Sequence, residues 1–231
     1  KNTEIVGITA LQLEHTQLLG NTLEEIAWQK AGIIKENSRV FYMPQPSECI
    51  AVIKERFREL KGKSLSQAPA VTDYKWIDCV EPDFTASSEV KALNFSLSTQ
   101  LSACWLKSRK LISEDFFVGD AMMAVDNKFI NAFKKCQFNG RFEVIDGGND
   151  ITYFLDGAHT KDSMQICADW FSKQLKINKA ADCINILIFN VTGDRDSELI
   201  MKQLHSIRFD YVCFTTNILN NDVYNEQSGE L

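Results

Sequence analysis

No Cys-x-x-Cys pair occurs among the seven cysteines (49, 79, 104, 136, 167, 183 and 213) of this 231-residue chain. An odd, dispersed set argues against a disulfide frame or a zinc site and reads as reduced thiols of an intracellular protein. No apolar run approaches the ~20 residues that a membrane span needs. Basic surplus is missing too: a net charge of −6 argues against a general nucleic-acid binder, which must neutralise phosphates. There is no phosphate loop. Lys61-Gly62-Lys63-Ser64 contains Gly-Lys-Ser, but position 57 is Phe rather than Gly, and a predicted helix precedes it where a strand is required. Nor does Gly-x-Gly-x-x-Gly occur, so a nicotinamide enzyme has no support. Histidine is scarce, with three in all, and each can be weighed separately.

What remains is an ordinary globular composition, 45% hydrophobic and 24% charged, in a chain long enough for one large core or two modest domains. Lys1-Asn-Thr-Glu-Ile-Val already reads as a strand approach with no signal or transit peptide, so the chain reads as an internal piece of a longer protein. Strands are predicted at residues 4–9, 39–43 and 71–77, with helices at about 21–31, 47–61 and 89–110. Asn21 is the expected N-cap of the first helix, Glu24 its capping-box partner and Gly32 its stop. Pro44–Pro46 reads as a break, residues 81–88 as a loop, and a short helix is placed near 122–133. A new rhythm follows: strands at 141–145, 152–155, 184–190 and 209–215, with helices at 161–175 and 197–206. Apolar strands alternating with helices predict an α/β protein with parallel sheets covered by helices, and a domain boundary near residue 136.

Few side chains stand out. His15 lies just past a buried strand, the usual place for ligands in open α/β sheets, and His159 lies between a strand and a helix. His205 sits late in a helix and reads as a surface residue. Lys30 falls among Ala27, Trp28, Ala31, Ile33 and Ile34. Its spacing alone favours a snorkelling surface charge, although burial would lower its pKa and allow a carbamate with carbon dioxide. Asp156 reads equally as a ligand-orienting carboxylate or a helix cap. Arg141, after Gly140, would on its own be a surface arginine, and Thr192–Asp196 lines a cleft or simply turns the chain.

Four blocks together resemble the folylpolyglutamate synthases of the Mur-ligase superfamily. They are Leu11–Lys35 with its Trp28-Gln29-Lys30; Leu93–Leu106; Gly140-Arg141 followed by Tyr153–Thr160 and Trp170-Phe171; and Ile188–Asp196 with Phe209–Phe214. The Trp-Gln-Lys form is similar to the eukaryotic branch. Departures are Gln12 for Gly, Glu14 for Asp, Ser88-Glu-Val-Lys91 for Gly-Glu-His-Gln, and Phe138-Asn139 for Trp-Pro.

The resemblance implies part of a Mur-ligase central ATPase domain (residues 1–135) followed by a Rossmann-like C-terminal ligase domain (136–231). The family's phosphate loop and the end of its last domain lie outside these residues. It further implies an ATP-dependent ligase that adds glutamate to the γ-carboxyl of a folate's glutamyl tail through an acyl phosphate, with magnesium offsetting the approaching negative charges. By carry-over, His15 is a magnesium ligand and Lys30 a carbamylated catalytic lysine that helps hold a second metal. Asn94 contacts adenine, Arg141 and Asp156 bind ATP, and His159 supports the catalytic site. Folate and glutamate are the implied substrates, for a monomer of the cytoplasm and mitochondrion. The 231 residues alone are expected to be inactive. Dihydrofolate synthase and a non-catalytic pseudo-ligase that binds nucleotide, folate or a partner remain open at this point.

Overall fold

The computed structural model describes residues 3–77, 89–136, 138–177, 183–192 and 195–215, and the chain divides into two compact units, Lys1–Gln137 and Phe138–Leu231. The 81–88 loop, with Ser88 of the altered segment, lies outside the described residues.

The first unit is built on three parallel strands in the order β1 (Ile5–Ile8), β2 (Arg39–Tyr42), β3 (Ser64–Gln67). A parallel sheet needs cover on both faces, and the alternation in β2 supplies it. Val40 and Tyr42 enter one cluster with Val6, Ile8, Ile26, Ala27, Ala31, Ile34, Cys49 and Ile53. Phe41 and Met43 enter another with Leu97 and Cys104. After a single turn, α1 (Thr16–Leu19), helices α2 (Leu23–Ala31) and α3 (Ser47–Glu59) cover one face and α4 (Glu89–Ser108) the other. Gly7 lets α4 approach: a Cβ there would lie 2.8 Å from a Leu101 methyl.

The capping box of α2 sits one residue later than the sequence predicts. Thr22 is the N-cap, its hydroxyl accepting from Glu25 N at 3.2 Å, while Glu25 accepts from the Thr22 N–H. Thr22 and Glu25 repeat the polar-x-x-carboxylate spacing that Asn21 and Glu24 also satisfy, so the pattern alone is degenerate by one position. The Gly-Lys-Ser stretch follows the end of α3, where Gly62 N donates to Phe57 O at 3.0 Å before Ser64 opens β3, a strand missing from the sequence prediction.

Residues 71–77 are not one strand but a 3-10 turn (Val71–Asp73) and a short β4 (Lys75–Ile77). After the small hairpin of β5 (Phe117–Val118) and β6 (Ala121–Met122), strand β7 (Ala124–Asp126) pairs in parallel with β4. The short helix predicted near 122–133 is α5 (Asn127–Lys135). Asp126 caps it, accepting from Lys128 N at 2.9 Å, and the residues before it are strand.

Gln100, fully buried on α4, ties this region together. Its Oε1 accepts from Met122 N at 2.8 Å, and its Nε2 donates to Met122 O at 2.5 Å and to Tyr74 Oη at 3.0 Å. Tyr74 Oη lies 2.9 Å from Ser96 Oγ, which donates to Pro69 O at 2.7 Å. The amide thus stands in for a strand partner on that side of β6.

In the second unit, β8 (Glu143–Gly148) and β9 (Ile151–Leu155) form an antiparallel hairpin. The tight Asn149-Asp150 connection, both residues at positive φ, leaves no room for the crossover a parallel pair would need. β10 (Ile186–Phe189) and β11 (Tyr211–Phe214) are parallel as expected. Helix α6 (Lys161–Ile177) packs with α7 (Ser197–Met201), and a 3-10 turn, Lys202–Leu204, replaces the last turn predicted for α7. Phe142 and Phe154 pack edge-on to Trp170, and Phe154 does the same to Phe171. Elsewhere on these strands Tyr153, Leu155, Ile186, Ile188 and Tyr211 are exposed.

Replacing Gln100 by leucine strands the buried N–H and C=O of Met122. Each orphaned group costs about 1–3 kcal/mol, so Gln100→Leu is expected to destabilise the first unit by roughly 2–4 kcal/mol in urea unfolding followed by fluorescence.

Candidate functional site

In the first unit two candidate residues, His15 and Lys30, lie on the segments that follow β1. His15 comes after β1 through residues 9–14, sits at φ 52°, ψ 38° in the left-handed region, and is exposed. Its carbonyl accepts from Leu18 N and Leu19 N at 2.8 and 2.9 Å, opening α1, while its imidazole makes no capping bond. Lys30 sits in the last turn of α2 and is half-buried. Ala27, Ala31 and Ile34 are buried around that turn, whereas Trp28 (47%) and Ile33 (55%) are exposed. The expected apolar surround is therefore one-sided, because a nine-residue helix on a sheet buries only its inner stripe. Trp28 carries the Arg56 guanidinium 4.3 Å from its ring centroid. Asn94 is exposed on α4, the helix whose Leu101 packs against the sheet.

Magnesium demands near-octahedral oxygen donors. Among the described residues no group of three or more His, Cys, Asp or Glu side chains could hold a metal ion. One exposed imidazole and one lysine amine do not make such a site. The described residues therefore do not fit the metal by themselves.

In the second unit the candidates come together. Arg141, expected at the start of a strand, lies instead in the turn before β8, where Arg141 N donates to Phe138 O at 3.1 Å. Gly140 (φ 71°) and Phe142 (φ 47°) flank it in the left-handed region. Phe142 has a Cβ and is disfavoured there. Further contacts hold the turn, among them Gly140 N donating to Glu143 Oε2 at 2.6 Å, Phe142 N donating to Asp156 Oδ2 at 2.8 Å, and the Phe142 ring packing on Trp170. The other Asp156 oxygen accepts from Ala158 N at 2.9 Å. Asp156 thus bridges the Arg141 turn and the loop after β9, rather than capping α6. Between them lies Gly157: a Cβ there would collide with Arg141 Nη1, so the guanidinium occupies the space a side chain would take.

His159 is half-buried, with Nδ1 2.9 Å from Gly157 O. A carbonyl can only accept, so Nδ1 carries a proton, and in the neutral form of the ring Nε2 is then the acceptor. Ser163 anchors this loop, its Oγ accepting from His159 N and Thr160 N at 3.1 and 2.9 Å. His205 is exposed after the Lys202–Leu204 turn. Asp196 caps α7, accepting from Leu199 N at 2.9 Å, while Gly193 and Asp194 lie outside the described residues.

Sequence reasoning misses Ser163 and Cys167. Thr160-x-x-Ser163 at a helix start is a readable signal for the first; nothing in sequence marks the second. Cys167, on α6, has its thiol pushed up to about 12 by burial first, then by the charge of Asp156 and a hydrogen bond to it.

No family model matches the chain. It is 32% identical to the mitochondrial folylpolyglutamate synthase of Bos taurus and 33% identical to the folylpolyglutamate synthase of Saccharomyces cerevisiae (strain FostersO), each match covering 93% of this chain. The chain spans 38% of the length of these curated relatives. Among solved structures, the folylpolyglutamate synthase of Mycobacterium tuberculosis complexed with ADP and AMPPCP is similar with a TM-score of 0.62 at 18% identity, over 91% of this chain and 47% of that one. An FPGS-AMPPCP-folate complex gives a TM-score of 0.58 at 17% identity, over 92% and 50%. These structural likenesses carry the fold.

The Cys167 thiol makes a signed prediction. Its folded pKa lies above the ordinary thiol value of 9.0, so its contribution is complete below pH 9 and is lost as pH rises from 9 towards 12. Unfolding midpoints measured across that range are expected to fall less steeply in Cys167→Ala.

Proposed function

We propose that this chain, a relative of the folylpolyglutamate synthases in sequence and in fold, contributes to an ATP-dependent ligase. The reaction adds glutamate to the γ-carboxyl of a folate's glutamyl tail. The observation that carries the reading is the Arg141–Gly157–His159 arrangement: a guanidinium laid on a glycine backbone, beside a carboxylate clamp and an imidazole of defined tautomer.

Each step makes a demand these groups can meet. A carboxylate is a poor electrophile, so one of its oxygens takes the γ-phosphoryl group from ATP and ADP leaves. The glutamate amine then attacks the acyl carbon, phosphate leaves, and the nitrogen loses its proton. Arg141 would offset charge on the nucleotide's phosphates, with Asp156 keeping the turn that carries it. His159 Nε2 is an acceptor of the kind an ammonium donor needs. Asn94 would meet the adenine. Lys30 would act as a carbamate, its neutral amine adding to carbon dioxide with loss of one proton; with His15 it would complete a metal site only alongside donors beyond those described. The domain assignment follows the same reading: an ATP-binding region in the first unit and a glutamate-ligase region in the second.

The 231-residue polypeptide, whose sequence holds no phosphate loop, is expected to show no turnover in a coupled ADP-release assay with tetrahydrofolate and glutamate; robust turnover would contradict that. Gly157→Ala, which displaces Arg141, is expected to weaken ATP binding in calorimetry by roughly tenfold, the scale of one charge-assisted hydrogen bond. Protein equilibrated with carbon-13 bicarbonate is expected to show a carbamate signal by NMR that Lys30→Ala removes, and an identical spectrum in that variant rules the carbamate out.

A further inference from the structure

We infer that Gln45 is a positioning residue for His15, a role that rests on the ligase reading given to His15 above. The chain leaves β1 at Ile8 and reaches His15 through a segment with few anchors. Leu11 is buried at 7% exposure, and Glu14 N donates to Gln12 O at 2.8 Å, a bond internal to the segment. Ala10 N also donates to Met43 Sδ at 3.3 Å, and the oxygen and nitrogen of one amide at the end of the neighbouring strand supply the rest. Gln45 Oε1 accepts from Leu11 N at 3.0 Å, and Gln45 Nε2 donates to Thr9 O at 2.8 Å. Both ends of one amide thus hold the backbone that leads to His15. Met43 N, donating to Ile8 O at 2.9 Å, is the last backbone bond before this side chain takes over.

Sequence prepares the contact. Gln45 lies between Pro44 and Pro46. Proline fixes its own φ and has no N–H, and it drives the preceding residue to extended backbone. The segment after β2 therefore offers a side-chain amide in place of backbone pairing, and little backbone freedom is lost in presenting it. Pro46 then serves as N-cap of α3, which fixes the far side of the same segment.

The test uses the 231-residue chain and two variants. Gln45→Leu removes both bonds. Gln45→Glu keeps the acceptor for Leu11 N but, once ionised, sets a second acceptor against Thr9 O. A protonated glutamic acid has one donor and one acceptor, like the amide, so acidification through the carboxyl's ordinary range, about 4.3, should restore the clamp. At pH 7 the Leu11 amide is expected to exchange about tenfold faster in both variants. The His15 ring resonance is expected to shift, while those of His159 and His205 stay in place. At low pH the glutamate variant is expected to return towards wild type at the same pH and the leucine variant to stay displaced. Ile53→Val, which loosens the core without touching the clamp, controls for general destabilisation. An unmoved His15 resonance with unchanged Leu11 exchange in both variants overturns the proposal, as does absence of acid rescue in Gln45→Glu. ATP calorimetry on the wild type is read separately: absence of ATP binding counts against the ligase reading and leaves the resonance result to decide the clamp.

Discussion

Two-sided burial of β2 is the constraint on which the first unit depends. Val40 and Phe41 are both fully buried although they point to opposite faces. A parallel strand in that position must be roofed by helices on both sides, and the three-layer arrangement follows. It puts α2 and α3 on one face and α4 on the other. It also puts the chain segments that follow β1 and β2 side by side at one end of the sheet, the segments that carry His15 and Gln45. The placement of these groups is thus a consequence of packing.

Polar side chains finish what the strands leave open. Gln100 pairs with both backbone groups of Met122, Gln45 spans Thr9 and Leu11, and Asp156 spans Phe142 and Ala158. In each case one planar group with two polar atoms satisfies two main-chain groups at or near a strand end. Such groups cost little when paired and much when one partner is lost. They also fix relative position, which an apolar contact does less sharply.

Most helices and the longer apolar strands are legible in the sequence because their periodicity is local. β1, β2, α3, α4 and α6 fall close to where the pattern puts them. The capping box is displaced by one because two overlapping four-residue windows both fit it. β3 escapes notice because Ser64–Gln67 is short and largely polar, and the antiparallel β8–β9 pairing is hidden because a strand's partner is not written in the strand itself. For the candidate site, Arg141, Asp156 and His159 are visible as residues, yet their mutual contacts are not. The bridge by Asp156 joins positions 14 apart in sequence, and the fit of Arg141 on Gly157 depends on an absent Cβ. Cys167 has no sequence signal at all, since its chemistry is set by what surrounds it.

The left-handed Phe142 has a bearing on protein engineering. A turn whose backbone is disfavoured for its own residue does not travel as a short motif. Moved into another scaffold, the stretch around Gly140-Arg141-Phe142 would relax unless Asp156 and Trp170 moved with it, because those two hold the amide and the ring. The smallest portable piece carrying this arginine is therefore the whole turn–hairpin–helix module from Phe138 to Ile177.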